Sequence, residues 1–470
     1  MSVLPGTRGP RRGSVLIVAL LFIILCSALA AAIAAFSGVN VQVGSNQQKL
    51  NNTRACAESG LEVTRYWLSQ VAFTGTTPAS ERFTTLATNL QSVLTAAGIT
   101  NIVPICDATT IALRGSATPN VPVPLNSSKH QSFSAVLTNV DVDTIRLAVT
   151  GRNGNLTRTI QTDFVFGKRP NNVFDYGVAT KGQLQLSGNI DMEGANIAIE
   201  SNAYIETDYS PALSIIGNSE IAGNVKITNP AGSVFLQGGQ AGIGGVYGQA
   251  AAQPPYTEYG YPQTEFPEMV PSTFAQYVTH DLDPNTNTSA SLVLDNVRIP
   301  AGRNPNFTGG VTLRGIIWIE APNVVKFSGS TTVCAVIVGN GNPTDYSGTN
   351  SITFSGSLTS LPVSALPEEL QFDGIRNETG TFLMAPGFAA DFEGPFTTVS
   401  GAIGANGITF GGSAGGTIYG SLINYAPNPM DCSGHNDLYF NRSGLTEVPA
   451  GFVPQVVLRY NPSSYSEATL

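Results

Sequence analysis

Charge is scarce in this chain. Only 12% of its 470 residues are Asp, Glu, Lys or Arg, against a usual share of about 25%. That shortage, together with 42% hydrophobic residues, excludes a disordered chain, which needs low hydrophobicity and high charge. Histidine is nearly absent at three residues, and the five cysteines (Cys26, Cys56, Cys106, Cys334, Cys432) form no C-x-x-C pair, which argues against a zinc site. Four of them lie outside the apolar run that holds Cys26 and leave room for one or two disulfides in an exported domain. No G-x-x-x-x-G-K-[ST], H-E-x-x-H or G-x-S-x-G motif occurs, so the familiar phosphate, zinc-peptidase and serine-hydrolase signatures are missing. What is abundant is glycine, at 50 residues, with 29 prolines. These are the two poorest helix formers, and the glycines follow no three-residue period. A turn-rich β protein with a large core is the expectation.

The net charge of −9 sets an acidic body against a basic start, because Arg8, Arg11 and Arg12 crowd the first dozen residues. An acidic body repels polyphosphate, so nucleic acid is not an expected partner. From Gly13 to Gln48 there is no charged residue. Val15 to Phe36 would make a helix of about 33 Å at 1.5 Å per residue, enough to span a bilayer. Arginines before it and uncharged polar residues after it predict a cytoplasmic start and an external body. A secretory signal peptide over residues 1–30, cut near Ala28-Leu-Ala30, is the competing reading. Asn46 to Gln70 continues as a helix-compatible segment with a stripe at Cys56, Leu61, Thr64, Trp67 and Leu68.

Arg11-Arg-Gly13 followed by Ser14-Val-Leu-Ile-Val-Ala-Leu-Leu resembles the class III leader of type IV pilins and pseudopilins, and Arg54-Ala-Cys-Ala-Glu-Ser-Gly-Leu-Glu62 resembles the A-E-[AS]-G-L-E segment of PilX-type minor pilins. The two segments cover about the first 70 residues. The resemblance implies cleavage after Gly13 by prepilin peptidase and methylation of Ser14. It also implies an inner-membrane anchor and assembly with other pilins or pseudopilins, a platform membrane protein and an assembly ATPase. Val18, Glu58, Gly60, Leu61 and Glu62 are the residues it assigns to assembly. Val18 departs from the family, where Glu holds the fifth mature position. A carboxylate inside a membrane helix is costly unless paired, and Val18 cannot offer that pairing, which points to a subunit that caps or initiates a filament.

Residues 71–130 read as polar, with one apolar stretch at Ile99 to Pro104. Alternation over Phe133–Val140, Thr144–Thr150 and Thr157–Phe166, with Asn-Gly at the second turn, predicts a small antiparallel sheet. After Pro170 a short motif recurs: Leu184-Gln-Leu-Ser-Gly-Asn189, Leu213 to Asn218, Val325 to Ser330, Ile352 to Ser357 and Ile408 to Ser413. Its glycines (Gly188, Gly217, Gly329, Gly356, Gly412) are separated by near multiples of 28, the sign of stacked coils. The expected fold is therefore mainly β with one long N-terminal α-helix, a pilin-like α/β module followed by a parallel β-helix, with a β-sandwich as the alternative. The expected segments are a leader at 1–13, the helix at 14–70, the small β module at 71–170, the solenoid at 171–445 and a final strand and polar tail at 446–470. An insertion near 250–290 is expected to lie over the solenoid as a long loop. The Gly-rich stretches Phe382 to Gly387, Ile408 to Asn424 and Pro449 to Phe452 resemble the C-terminal domain that accompanies PilX-type N-termini.

Parallel β-helices often cleave polysaccharides, so an exported β-helix binding or cleaving glycans is the rival function. Such a site needs clustered carboxylates, and no acidic triplet repeats with the coil period. His130, His280 and His435 sit in polar contexts, His435 being the most site-like. Asp281-Leu-Asp-Pro-Asn-Thr-Asn287 spaces oxygen ligands as calcium loops do, without the Gly or bidentate Glu of an EF-hand. An Asx-rich turn is the competing reading. No enzyme activity and no cofactor are expected.

Overall fold

In the computed structural model, residues 13–107, 109–116, 121–196, 200–442 and 448–468 are described. They form two compact units: residues up to Ala72, Pro78–Phe166 and Leu458 onward in the first, Phe73–Thr77 and Gly167–Val457 in the second.

The first unit carries helix α1, Gly13–Ser69. Its second half buries Thr53, Cys56, Ala57, Gly60, Leu61, Thr64 and Leu68, a stripe at three- and four-residue steps that seats the helix on an antiparallel sheet. Trp67 of the predicted stripe is only half-buried. The sheet runs 455–468, 156–169, 144–153, 131–139, 110–114, 103–106. The hairpin falls where expected, with Asn153 opposite Leu156 around Gly154-Asn155. Helix and sheet approach almost backbone to backbone. A Cβ on Gly151 would lie 2.2 Å from the Ala57 nitrogen, and one on Gly60 would lie 2.6 Å from the Phe133 ring. Gly60, which looks like a weakness in the helix pattern, is thus the notch that admits Phe133.

The polar reading of 71–130 missed helix α2, Arg82–Ala96, which buries Phe83, Leu86, Ala87, Leu90 and Leu94. The spacing is helical, but Thr and Asn fill the other positions and mask the stripe. No disulfide forms: all five cysteines are free, with Cys56, Cys334 and Cys432 buried and Cys26 and Cys106 exposed.

The second unit is a parallel β-solenoid. Two sheets face each other across one apolar interior. Their strands alternate along the chain: 178–180 then 184–194, 311–320 then 324–327, 331–340 then 351–354. Coil length is not constant. Ala390 pairs with Ile408, 18 residues on, while Ile352 pairs with Ala390, 38 residues on. The predicted period near 28 is corrected accordingly; what repeats is the rung, and the turns between rungs vary freely.

The order of stacking is not the order of the chain. In the first sheet the strands run 257–259, 225–227, 203–205, 178–180, then 422–424, 402–405, 381–385, 331–340, 311–320, 292–299 and 280–281. The solenoid is built in two halves that grow outward from 178 and inward to 424, and they meet at a seam. There Val178, Ala179 and Thr180 pair with Leu422, Ile423 and Asn424, and 184–194 pairs with 430–440 in full register. A simple solenoid ends far from where it begins. This one begins and ends at the seam, so Arg169 Nε donates to Gln455 Oε1 at 2.8 Å. That adjacency lets it be inserted between 156–169 and 455–468, neighbouring strands of one sheet.

The residues read as a covering loop are the connection that makes this possible. Residues 260–279 run as a strap from the rung of 257–259 to that of 280–281, the two ends of this sheet. Ten rung steps at about 4.8 Å span about 48 Å, within reach of 20 residues at about 3.3 Å each. The strap is sewn down along its course: Thr264 N–H donates to the Tyr204 hydroxyl (2.9 Å), Val270 N–H to Gly451 O (2.8 Å) and Thr279 N–H to Asn296 O (2.9 Å). It covers the outer face of the first sheet with Met269, Phe274 and Tyr277, against Trp318, Val336, Val338 and Met384. Covered on both faces, strands such as Val333–Gly339 read as continuous apolar runs instead of alternating.

At one bend of the second sheet glycines stack rung on rung. A Cβ on Gly238 would meet Gly217 O at 2.1 Å, on Gly188 it would meet Gly434 O at 2.2 Å, and on Gly356 it would meet Gly329 O at 2.0 Å. All five glycines of the sequence motif belong to this ladder, and Gly238, Gly309, Gly394 and Gly434 extend it. Inside, Phe307, Phe327, Phe354, Phe392 and Phe410 stack face to face at 5.0–5.3 Å between ring centroids, with planes within 16° of parallel.

Candidate functional site

The segment that stands out is the first half of α1. It is apolar and unpartnered: every residue from Val15 to Lys49 is exposed, and an 18-residue window reaches a mean hydropathy of 3.0 with none of it buried. By length and composition it is able to cross a membrane. In water such a surface is unfavourable by about 25 cal/mol for each Å², so a lipid or protein environment is its physical counterpart. The helix is continuous from this half into the packed half, with no break at Gly38 or Gly44.

The leader arginines lie outside the described residues. Gly13 opens the helix, with Ser14 in its first turn, and Val18 is 61% exposed on the bare part. The A-E-[AS]-G-L-E segment divides by face. Gly60 and Leu61 are buried on the sheet, whereas Glu58 and Glu62 face outward and pair within their own unit. Glu58 accepts from Arg54 at 2.9 Å, and Arg54 also reaches Glu467 at 3.1 Å. Glu62 pairs with Arg65 at 2.8 Å. These exposed pairs contribute little to stability and remain free to exchange partners. Gly60 and Leu61 serve packing; Val18 is the assigned residue that stays unpartnered.

On the solenoid the seam assembles a row that no period reveals. Glu220 lies beside Asp191, and Asp191 beside Asp437, in register on adjacent rungs. Asp437 is 246 positions from Asp191, so the row follows no coil period and arises only from the pairing of the two halves. Partial burial, then Glu220, Asp437 and Glu193, push the Asp191 carboxyl above its ordinary value. A raised carboxylate pKa favours the folded state below the unfolded value near 4 and loses that advantage as pH climbs through the folded value. Asp191→Asn is therefore expected to raise the urea midpoint at pH 7 and to leave it unchanged at pH 3, as read by circular dichroism. Equal effects at both pH values would refute the assignment.

His435 Nδ1 lies 2.9 Å from Asn189 Nδ2 on the exposed face of the seam, and His280 lies beside Thr279. The calcium-like stretch is occupied by its own chain. Asp281 pairs with Arg298 at 2.7 Å, Asp283 accepts from Asn285 N–H and Asn287 from Ser289 N–H. The geometry is that of an Asx-rich turn. Among the described residues no group of three or more His, Cys, Asp or Glu is placed to hold a metal.

No family model matches the sequence, and no curated protein matches it. Among solved structures, the competence-associated pilin ComZ from Thermus thermophilus is similar over 89% of this chain and 97% of that one, at 11% identity and a TM-score of 0.25. A superposition at that level carries no argument about this chain.

Proposed function

We propose that this protein is a membrane-anchored minor pilin or pseudopilin of PilX type. In this reading α1 enters a type IV pilus-like or type II secretion-like filament, and the non-catalytic solenoid is displayed outside the inner membrane. The observation that carries the reading is the division of α1 into a bare apolar half and a half seated on an antiparallel sheet, in one unbroken helix. It is supported by the leader before Ser14 and the Glu58 to Glu62 segment. Prepilin peptidase, a platform protein, an assembly ATPase and other pilins are the partners that follow. Val18, which offers no carboxylate to a neighbour, fits a capping or initiating subunit.

The mature N-terminus tests this most directly. Intact mass and N-terminal sequencing of chain purified from the native membrane are expected to give N-methylated Ser14. A start near Ala31 would instead identify a signal peptide and an exported β-helix. An epitope tag on the solenoid is expected at filament ends, and labelling along whole filaments would remove the capping role.

A further inference from the structure

A cavity of about 270 Å³ opens where strap and seam meet. Lys181 follows the first seam strand and Tyr425 the last, Glu265 to Met269 of the strap form another wall, and Pro343 and Tyr346 close the side. Each wall is pinned. Lys181 N–H donates to Asn424 O (3.0 Å), the Tyr425 hydroxyl to Pro267 O (2.6 Å), and Val453 N–H to Glu268 O (2.9 Å). Asn406 Nδ2 donates to Pro343 O (2.7 Å) and Asp345 O (3.0 Å), and Asn428 Nδ2 to Tyr346 O (3.0 Å). The cavity is thus preformed by elements from four distant parts of the chain, which lowers the ordering cost of binding.

Two opposite charges line it without meeting. The Lys181 ammonium sits over the Phe266 ring, 4.9 Å from its centroid. Among the described residues its side chain has no ion pair or hydrogen bond, and neither has the carboxylate of Glu265. Elsewhere in this unit three arginines are matched by carboxylates, in Arg298–Asp281, Arg314–Asp295 and Arg376–Asp373. Glu265 stands on the exposed rim, where desolvation by the cavity walls still raises its carboxyl, so an ammonium beside it would relieve that cost. The volume is below the range of about 300–1,000 Å³ that holds drug-sized ligands, which excludes an oligosaccharide.

We propose that the seam cavity binds a small zwitterion of the amino-acid or dipeptide class, its carboxylate toward Lys181, its ammonium toward Glu265 and its apolar body against Phe266, Pro267 and Tyr346. Calorimetry on the full chain in detergent tests this with three probes: L-alanyl-L-alanine, its N-acetylated amide and methyl β-D-glucoside. The free dipeptide is expected to bind at least about tenfold more tightly than either neutral probe, the factor that a charge-assisted hydrogen bond supplies. Lys181→Met and Glu265→Gln are each expected to weaken it about tenfold, with thermal melts unchanged. Equal binding of a neutral probe, unchanged affinity in both variants, or no heat from any probe at about 10 mM would overturn the proposal. The comparison of probes on the unaltered chain holds even if a variant misfolds.

Discussion

Replacing Gly356 by valine is expected to leave the solenoid unfolded. A Cβ there would sit 2.0 Å from Gly329 O and 2.6 Å from Gly329 C, and both are backbone atoms of the adjoining rung. No rotamer change relieves such a clash; the rungs must separate. The pairing of 351–354 with 324–327 and 389–392 would go with them. A loss above about 4 kcal/mol places the substitution among the exceptional destabilisations, against total stabilities of about 5–15 kcal/mol. Gly239→Ala is the matched control, since its Cβ would meet nothing within 4 Å, and it is expected to stay within about 0.5 kcal/mol. Urea unfolding followed by far-UV circular dichroism and limited proteolysis would separate the two. A folded, protease-resistant Gly356→Val protein would show that the ladder tolerates side chains and that its glycines have another cause.

Phe354→Ala is expected to be the most damaging truncation in the interior. Phe354 is 1% exposed and stacks on Phe327 at 5.1 Å and on Phe392 at 5.3 Å. Its removal opens a void in the middle of a five-ring column, where collapse from either side would break further stacking. Buried Phe→Ala changes cost about 3–5 kcal/mol, and each stacked pair adds about 0.5–1.5 kcal/mol beyond buried area. Phe354→Leu, which keeps most of the volume, is expected to recover more than half of the loss. Recovery would distinguish a filled column from one that depends on ring stacking itself, and an alanine variant as stable as wild type would refute both.

The two substitutions differ in what made their sites readable. The Ser-Gly-Asn and Ser-Gly-Ser motifs are visible because a rung ends the same way each time, with Gly where the next backbone comes close. Phe327, Phe354 and Phe410 stand two positions before Gly329, Gly356 and Gly412, so the motif already holds much of the column. Gly394 and Gly434 escaped although Ala390 and Phe392, and Met430 and Cys432, repeat the apolar pair, because Pro395 and His435 stand where the motif has Asn or Ser. Helix α2 escaped because its buried positions are diluted by Thr and Asn. The acidic row escaped for a deeper reason: Asp437 reaches Asp191 only through a pairing that no local spacing encodes.

Low charge was the first feature of this chain, and the sequence by itself determined what that shortage does. An uncharged run long enough for a membrane, a stripe that continues it, alternating strands and glycine-ended rungs are all local properties. They follow from side-chain periodicity and backbone sterics within a few residues. Tertiary structure alone decided the order of the rungs. Parallel in-register pairing asks only that facing rows be compatible, so any two rungs with matching apolar rows are able to neighbour each other. A 20-residue strap then removes the constraint that chain neighbours be stack neighbours. The result is a solenoid whose ends meet at its middle, and with it the seam, the Glu220–Asp191–Asp437 row and the cavity beside Lys181.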